Sequence, residues 1–413
     1  MPGMPDMPDM PGMAGMSSTA MGEFAGTPEE RNSSGTSWQP DTTPMYAIHD
    51  MEGAWMIMTH YNVFLSLDEQ LGGRGGHQID STNWAMLMAT RQWSDDELTF
   101  RGMFTLEPWT VTDRGYPLLL QTGEAYQGEP LVDRQHPHDV FMELAARYQH
   151  ALNRTSAVSL YLAPSGEPAL GPPAFMHRTS AMDDPAAPIS HHWMDSTHIS
   201  FGVATLGVTA GAWQLEGSWF NGREPNQDRW SIGPPHLDSY SGRLSWNPAK
   251  AWSTQVSHGY LASPEELYPK ESEHRTTASV SFTHSLADGR VLATTWAWGQ
   301  NRQEGKNSDA LLLESDWQVS RLYTVFGRGE YVEKTGQELD LPAANAKFDI
   351  SQITLGSCRE LSPGRPMDLA VGADATLSFA PSSLAGIYGK HPLGYWLFFR
   401  LRPARTGRHR GGE

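Results

Sequence analysis

The sequence has almost no cysteine: Cys358 is the only one in 413 residues, which excludes an internal disulfide and any cysteine-based zinc centre. It has no run approaching 18 apolar residues, so no helix is expected to cross a bilayer. Positive charge is scarce. Thirty Lys and Arg stand against 47 Asp and Glu, for a net charge of -17, and the only basic cluster is Arg405, Arg408 and Arg410 near the end. A nucleic-acid partner is therefore not expected. The opening Met-Pro-Gly-Met is not a charged and then apolar leader, so export would imply a signal already removed. No G-x-S-x-G elbow, HExxH or P-loop occurs, and Ser257-His258 is an unspecific pair, so no enzyme is expected.

What the chain does have is glycine (40), proline (29) and tryptophan (15) at a mean hydropathy of -0.47. Many tryptophans in a chain polar on average suggest strands with one wet face. From Met51 onward the apolar period is two. Trp55, Ile57, Thr59, Tyr61, Val63, Leu65 and Leu67 alternate with Met56, Met58, His60, Asn62, Phe64 and Ser66. About sixteen such runs follow, at 52–67, 81–91, 98–110, 140–150, 155–163, 197–209, 211–221, 238–248, 251–262, 272–286, 289–303, 308–320, 321–333, 347–360, 366–379 and 393–402. Their connections alternate between long and short. Long 68–80, 111–139, 164–196, 222–237, 334–346 and 380–392 contrast with tight turns such as Thr209-Ala210-Gly211 and Leu286-Ala287-Asp288-Gly289.

Strands of 9–15 residues with one apolar face, joined by short turns at one end and long loops at the other, describe a membrane-spanning barrel. A closed barrel gives every backbone N–H and C=O a partner inside the bilayer. Sandwich strands are about half as long, and no 20–50 residue repeat suggests a propeller. The expected fold is all-β: a transmembrane antiparallel up-and-down β-barrel of about 16 strands, with 14 or 18 as alternatives, over residues 51–402. Trp55, Trp84, Trp109, Trp213, Trp219, Trp246, Trp252, Trp317 and Trp396 fall near strand ends, as an interfacial girdle requires. Residues 1–50 are expected to form a disordered Met-rich tail on the short-turn side, and 403–413 a short basic tail.

The final run, Gly394-Tyr395-Trp396-Leu397-Phe398-Phe399, resembles the C-terminal signal of bacterial outer-membrane proteins. It departs from that pattern at Pro392 and in the residues that follow Phe399. The resemblance implies a bacterial outer-membrane barrel of porin type, with outer-membrane lipid and small solutes or metal ions as partners. A homotrimer follows by analogy with sixteen-stranded porins. The Met repeat, more weakly, resembles the leader of the outer-membrane copper-resistance protein B family.

Three segments carry metal-binding chemistry. Met1, Met4, Met7, Met10, Met13 and Met16 recur every third residue, so a polyproline II segment puts six thioethers on one face. Thioethers are soft ligands that select Cu(I), and by the same softness Ag(I). Asp133-Arg-Gln-His-Pro-His-Asp139 offers His136, His138 and Asp139, although one chelate from both imidazoles looks awkward without a turn. The third long loop adds His177, His191 and His192, and the third loop of many porins folds inward to constrict the pore. The polar strand faces, with His60, Arg101, Glu107, Glu143, Arg147, Glu216, Arg243, Glu314, Asp316, Arg328 and Glu330, are expected to line a lumen. The expected function is an outer-membrane channel for small solutes linked to copper or silver handling, with no cofactor required beyond Cu(I) or Ag(I) at the tail. The alternative is a non-conducting surface barrel whose loops bind metal or a partner.

Overall fold

The structure is a computed structural model. It describes residues 22–405 apart from Gly364, so the Met repeat and residues 406–413 lie outside the described residues. One closed antiparallel barrel accounts for most of the chain. Its strands, numbered here in chain order, are β1 (Trp55–Gln70), β2 (Gly76–Asp80 continued by Asn83–Trp93), β3 (Asp96–Phe104), β4 (Phe141–Asn153), β5 (Ser156–Gly166), β6 (Ser200–Ala210), β7 (Trp213–Phe220) and β8 (Ser239–Ala249). The second half comprises β9 (Trp252–Ala262), β10 (Ser272–Ser285), β11 (Val291–Gln303), β12 (Lys306–Gln318), β13 (Tyr323–Thr335), β14 (Lys347–Glu360), β15 (Met367–Phe379) and β16 (Leu393–Pro403). Closure comes from β16 on β1, with Leu397 opposite Leu67 and Leu401 opposite Val63. A flanking strand, Ile48–Glu52, pairs with the first residues of β1.

The pleat decides the two faces. Leu65, Leu87, Phe100, Leu215, Leu313, Leu355, Leu397 and Phe399 point outward and are exposed, as a lipid-facing surface requires. Trp213 stacks on Trp246, with ring centroids 5.0 Å apart, near the short turns. Tyr240 stacks on Tyr260 at the opposite end. Two of the tryptophans expected in the girdle are not there. Trp84 and Trp396 occupy inward register positions; Trp396 is buried against Tyr116 and Trp84 packs on His60 and His177.

Four boundaries differ from expectation. The first long loop is mostly strand, because β1 runs on to Gln70 and pairs with Gly76–Asp80; β2 is interrupted at Ser81-Thr82. The third strand stops at Phe104 rather than 110, since Pro108 has no N–H to give a ladder and Glu107–Thr110 closes a single helical turn, α1. On the long-loop side, β11 and β12 are joined by a tight Glu304-Gly305 turn with both residues at positive φ. The largest difference concerns the tail, since of residues 1–50 those from 22 on are built into the fold. Thr42 donates its N–H to Lys250 and its hydroxyl to Thr283, Arg31 reaches the Gly211 carbonyl, and Asn247 holds the Gln39 carbonyl. Lys250, Gly211 and Thr283 belong to the short-turn end, so the segment lies across that mouth. Its small polar residues suit a polar lumen, where wall side chains satisfy the backbone in place of a ladder. Arg101 donates to the Gly35 carbonyl, Gln214 to that of Thr36, and Arg243 to the Thr36 hydroxyl.

Candidate functional site in the lumen

The third loop, 167–199, enters the barrel, as the third loop of many porins does, and nearly every residue in it is buried. Ion pairs fasten it to the far wall. Arg178 bridges Asp195 and Glu314, each at 2.5 Å, and Asp184 meets Arg328 at 2.8 Å. Asp183 is held by Arg400 and Arg402 of β16, and the Ser190 hydroxyl donates to Glu330. The second loop, 105–140, is also drawn inward: Lys334 donates to the Thr122 hydroxyl and Gln352 to the Leu119 carbonyl.

The expected lumen-lining residues on the strands do face inward, but the inward segments cover most of them. Arg101 pairs with Glu143 at 3.6 Å, Arg147 donates to Asn32, and Glu216 pairs with Arg243 at 3.0 Å. Glu314, Arg328 and Glu330 hold the third loop, and Asp316 is buried nearby. A wide polar wall facing open water is therefore replaced by a packed one. Glu107 is not on a strand; it starts α1 and accepts from the His138 ring and backbone N–H. Ser257 and His258 are split by the pleat, Ser257 buried and bonded to Thr277 and His258 on the outer face.

Two donor clusters stand out. The first is a closed ring of five imidazoles from both inward loops. Successive ring centroids lie 5.8 Å (His136–His138), 5.2 Å (His138–His198), 5.1 Å (His198–His191), 5.2 Å (His191–His192) and 6.0 Å (His192–His136) apart. One ring nitrogen from each of His136, His191 and His192 falls within 4.8 Å of the other two. His136 and His138 are brought together after all, because residues two apart in extended chain share a face. Every Nδ1 meets an oxygen: Glu107 for His138 at 2.8 Å, Asp195 for His191 at 2.6 Å, Glu124 for His136 at 3.1 Å, Glu224 for His192 at 3.5 Å and the Asp195 carbonyl for His198 at 2.8 Å. An oxygen acceptor there places the proton on Nδ1 and leaves Nε2 with its lone pair. Burial lowers the pKa of His191 and holds those of His136 and His198 well below the usual imidazole range; at His138 burial acts the same way, but Glu107 outweighs it and raises the pKa. Gly123, at φ +126°, lets the backbone pass the His192 ring, which a Cβ there would meet at 2.4 Å. Asp139 is not in the ring of donors; it pairs with Arg229 at 3.4 Å.

The second cluster is a methionine wall on β1 to β4. Met58, Met86, Met88, Met103 and Met142 pack together from adjacent strands, joined by Met45 of the N-terminal segment and Met176 of the third loop. His60 Nε2 lies 3.0 Å from the Met86 sulfur, and His177 Nε2 lies 3.4 Å from that of Met103. The two imidazoles are 6.0 Å apart. His177 thus belongs here and not with His191 and His192. Among the described methionines only Met51 and Met367 are exposed, so the thioethers concentrate inside. Reasoning from the sequence missed this wall, although the period-two face Met56, Met58, His60 was its visible trace. It also missed His198, Glu124, Asp195 and Glu224: Glu224 reaches His192 from a different loop, whereas Asp195 stands four residues after His191 and was a local signal left unread.

No family model matches the chain, and no curated protein does, so the copper-resistance resemblance gains no support from these comparisons. Solved structures do match. The chain is similar to OmpF of Salmonella typhi in complex with daunomycin, at 9% identity and TM-score 0.53, over 86% of this chain and 100% of that one. It is also similar to the anion-selective porin of Comamonas acidovorans, at 10% identity and TM-score 0.51, over 84% and 99%. OprB of Pseudomonas putida matches at 9% identity and TM-score 0.50, over 84% and 94%. With its lipid-facing outer surface and sixteen-stranded closure, the chain is an outer-membrane β-barrel of porin-like fold.

Proposed function

We propose that the protein is a porin-like outer-membrane channel with a constricted lumen, through which soft metal ions, Cu(I) or Ag(I), are handled. The methionine wall carries this reading. A water-filled lumen is ordinarily polar, and aliphatic side chains would fill a gap as well as thioethers do. Sulfur paired with imidazole at Met86–His60 and Met103–His177 is instead a soft donor set of the kind that prefers monovalent copper or silver. A cavity of about 160 Å³ opens beside it, reaching the N-terminal segment. The Met repeat at Met1 to Met16 would supply further thioethers on the periplasmic side.

The test is Ag(I) binding and conductance on the purified full chain. Met86→Leu with Met103→Leu keeps apolar bulk and removes sulfur, and is expected to weaken Ag(I) binding at least tenfold while single-channel conductance to K⁺ is retained. Equal Ag(I) affinity in the variant would refute the soft-metal reading. A second reading, a barrel that retains metal without conducting, is favoured by the three inward segments that cover the walls. Absence of conductance with Ag(I) binding intact would select it.

A further inference from the structure

We infer that His136, His138, His191, His192 and His198 form a binding site for one divalent late transition-metal ion, of the Zn(II), Ni(II) and Cu(II) class, joining the second loop to the third. This site is separate from the thioether wall and does not depend on its assignment.

Three observations converge. The first is the donor type. Five imidazoles and no thioether make a borderline set, which suits divalent ions better than Cu(I) or Ag(I). The second is their orientation. All five Nδ1 atoms are engaged by oxygen, four of them by carboxylates, the arrangement that fixes the ring and raises the basicity of a metal-ligating histidine. The opposite nitrogens are left over: Nε2 of His138, His192 and His198 is buried and has no hydrogen-bond partner among the described residues. A buried polar atom without a partner is costly, and three in one cluster call for an occupant. The third is charge. Glu107, Glu124, Asp195 and Glu224 surround the ring, with Asp139 beyond, against Arg229 and Arg178. The surplus is negative, as a dication needs.

The spacing fits one ion after a modest contraction. With Zn–N bonds of about 2.0–2.1 Å, nitrogens on a tetrahedral ion stand roughly 3.3 Å apart. The three closest donors are already within 4.8 Å, and they sit on loops whose rings can turn. His136 and His138 come from one loop and His191, His192 and His198 from the other, so a bound ion would tie the two together.

The experiment uses the tag-free full chain in detergent, stripped with chelator and titrated with Zn(II) and Cu(II) against a competing chelator. Wild-type protein is expected to bind one equivalent of either at the ring, and the Cu(II) form to show an electron paramagnetic resonance signal split by imidazole nitrogens. His136→Ala with His192→Ala should lower affinity at least a hundredfold and remove the nitrogen splitting. Glu124→Gln, which leaves all five rings in place, should lower it about 10–100-fold. Met86→Leu with Met103→Leu should leave Zn(II) affinity unchanged, which separates this site from the soft one. Heat-modifiable migration on gels verifies that each variant is a folded barrel. A folded double-histidine variant that binds Zn(II) as tightly as wild type overturns the proposal. So does a wild-type protein that takes up neither ion.

Discussion

Asp183→Asn tests whether the third loop is held in the lumen by charge. Asp183 is fully buried and accepts from two guanidiniums, Arg400 and Arg402 of β16; the Arg402 contact is 3.1 Å. Asparagine keeps the shape and one acceptor oxygen but leaves both cations to share Glu360, which is 4.0 Å from Arg402. Breaking a buried pair by removing one partner costs about 3–5 kcal/mol. Each 1.4 kcal/mol is a factor of ten, so docking of this stretch weakens by about 10² to 4 × 10³. The barrel ladder makes no use of Asp183, so the cost falls locally, and Arg178, Asp184 and Ser190 still hold the rest of the loop. The assay is amide exchange in detergent. The N–H groups of Ala181, Asp184, Ala186 and Ala187 donate within the loop or to Tyr116, and their protection is expected to fall about a hundredfold or more. Strand amides of β16 should keep theirs. Unchanged exchange at 181–187 would refute the electrostatic tether. An equal loss across β16 would show that the pair stabilises the barrel itself.

Deletion of residues 22–47 should open the short-turn end, because Thr36, Gln39 and Thr42 hold that segment across it; single-channel conductance is expected to rise, and an unchanged value would show that the segment does not limit flow. Leu313→Arg puts a charge at the middle of β12 on the lipid face, where it costs about 2–4 kcal/mol, read as a lower denaturant midpoint in lipid vesicles; no change would place that face away from lipid. Gly123→Ala forces a Cβ into the His192 ring at a positive φ, and should weaken Zn(II) binding without altering heat-modifiable migration. Wild-type Zn(II) affinity in that variant would count against His192 as a ligand.

The barrel was legible because its signal is local. Alternation along Trp55–Gln70 or Met367–Phe379 is a property of neighbouring residues, and a lipid-facing strand cannot abandon it without exposing charge to hydrocarbon. Most loop lengths were legible for the same reason, although 68–80 and 304–307 are shorter than their composition suggested. What the loops do inside was not. Nothing near Asp183 indicates that its partners lie more than two hundred residues away, and nothing near Thr36 indicates Arg243. Residues 22–47 looked unstructured because they lack an apolar stripe, yet a segment threaded through a polar lumen needs hydrogen bonds and small side chains instead.

The donor clusters show the same division. The pairs His136-Pro-His138 and His191-His192 were visible as motifs, and an inward fold of the third loop was suggested only by analogy with porins. Their convergence on one ring depended on α1, where Glu107 turns away from the wall to orient His138, and on His198 at the loop's far end. The methionine wall was hidden differently. Met86 and Met88 read as ordinary apolar alternates of β2, but apolar residues belong on the lipid side of such a strand. Leu87 points outward and both methionines point inward, so the sulfur is on the face that lipid does not explain. Burial alone would be met by leucine or valine at those positions. What leucine cannot do is place a polarisable lone pair 3.0 Å from the His60 ring nitrogen. That contact, repeated between Met103 and His177, is the physical reason for reading the wall as a ligand surface rather than as packing.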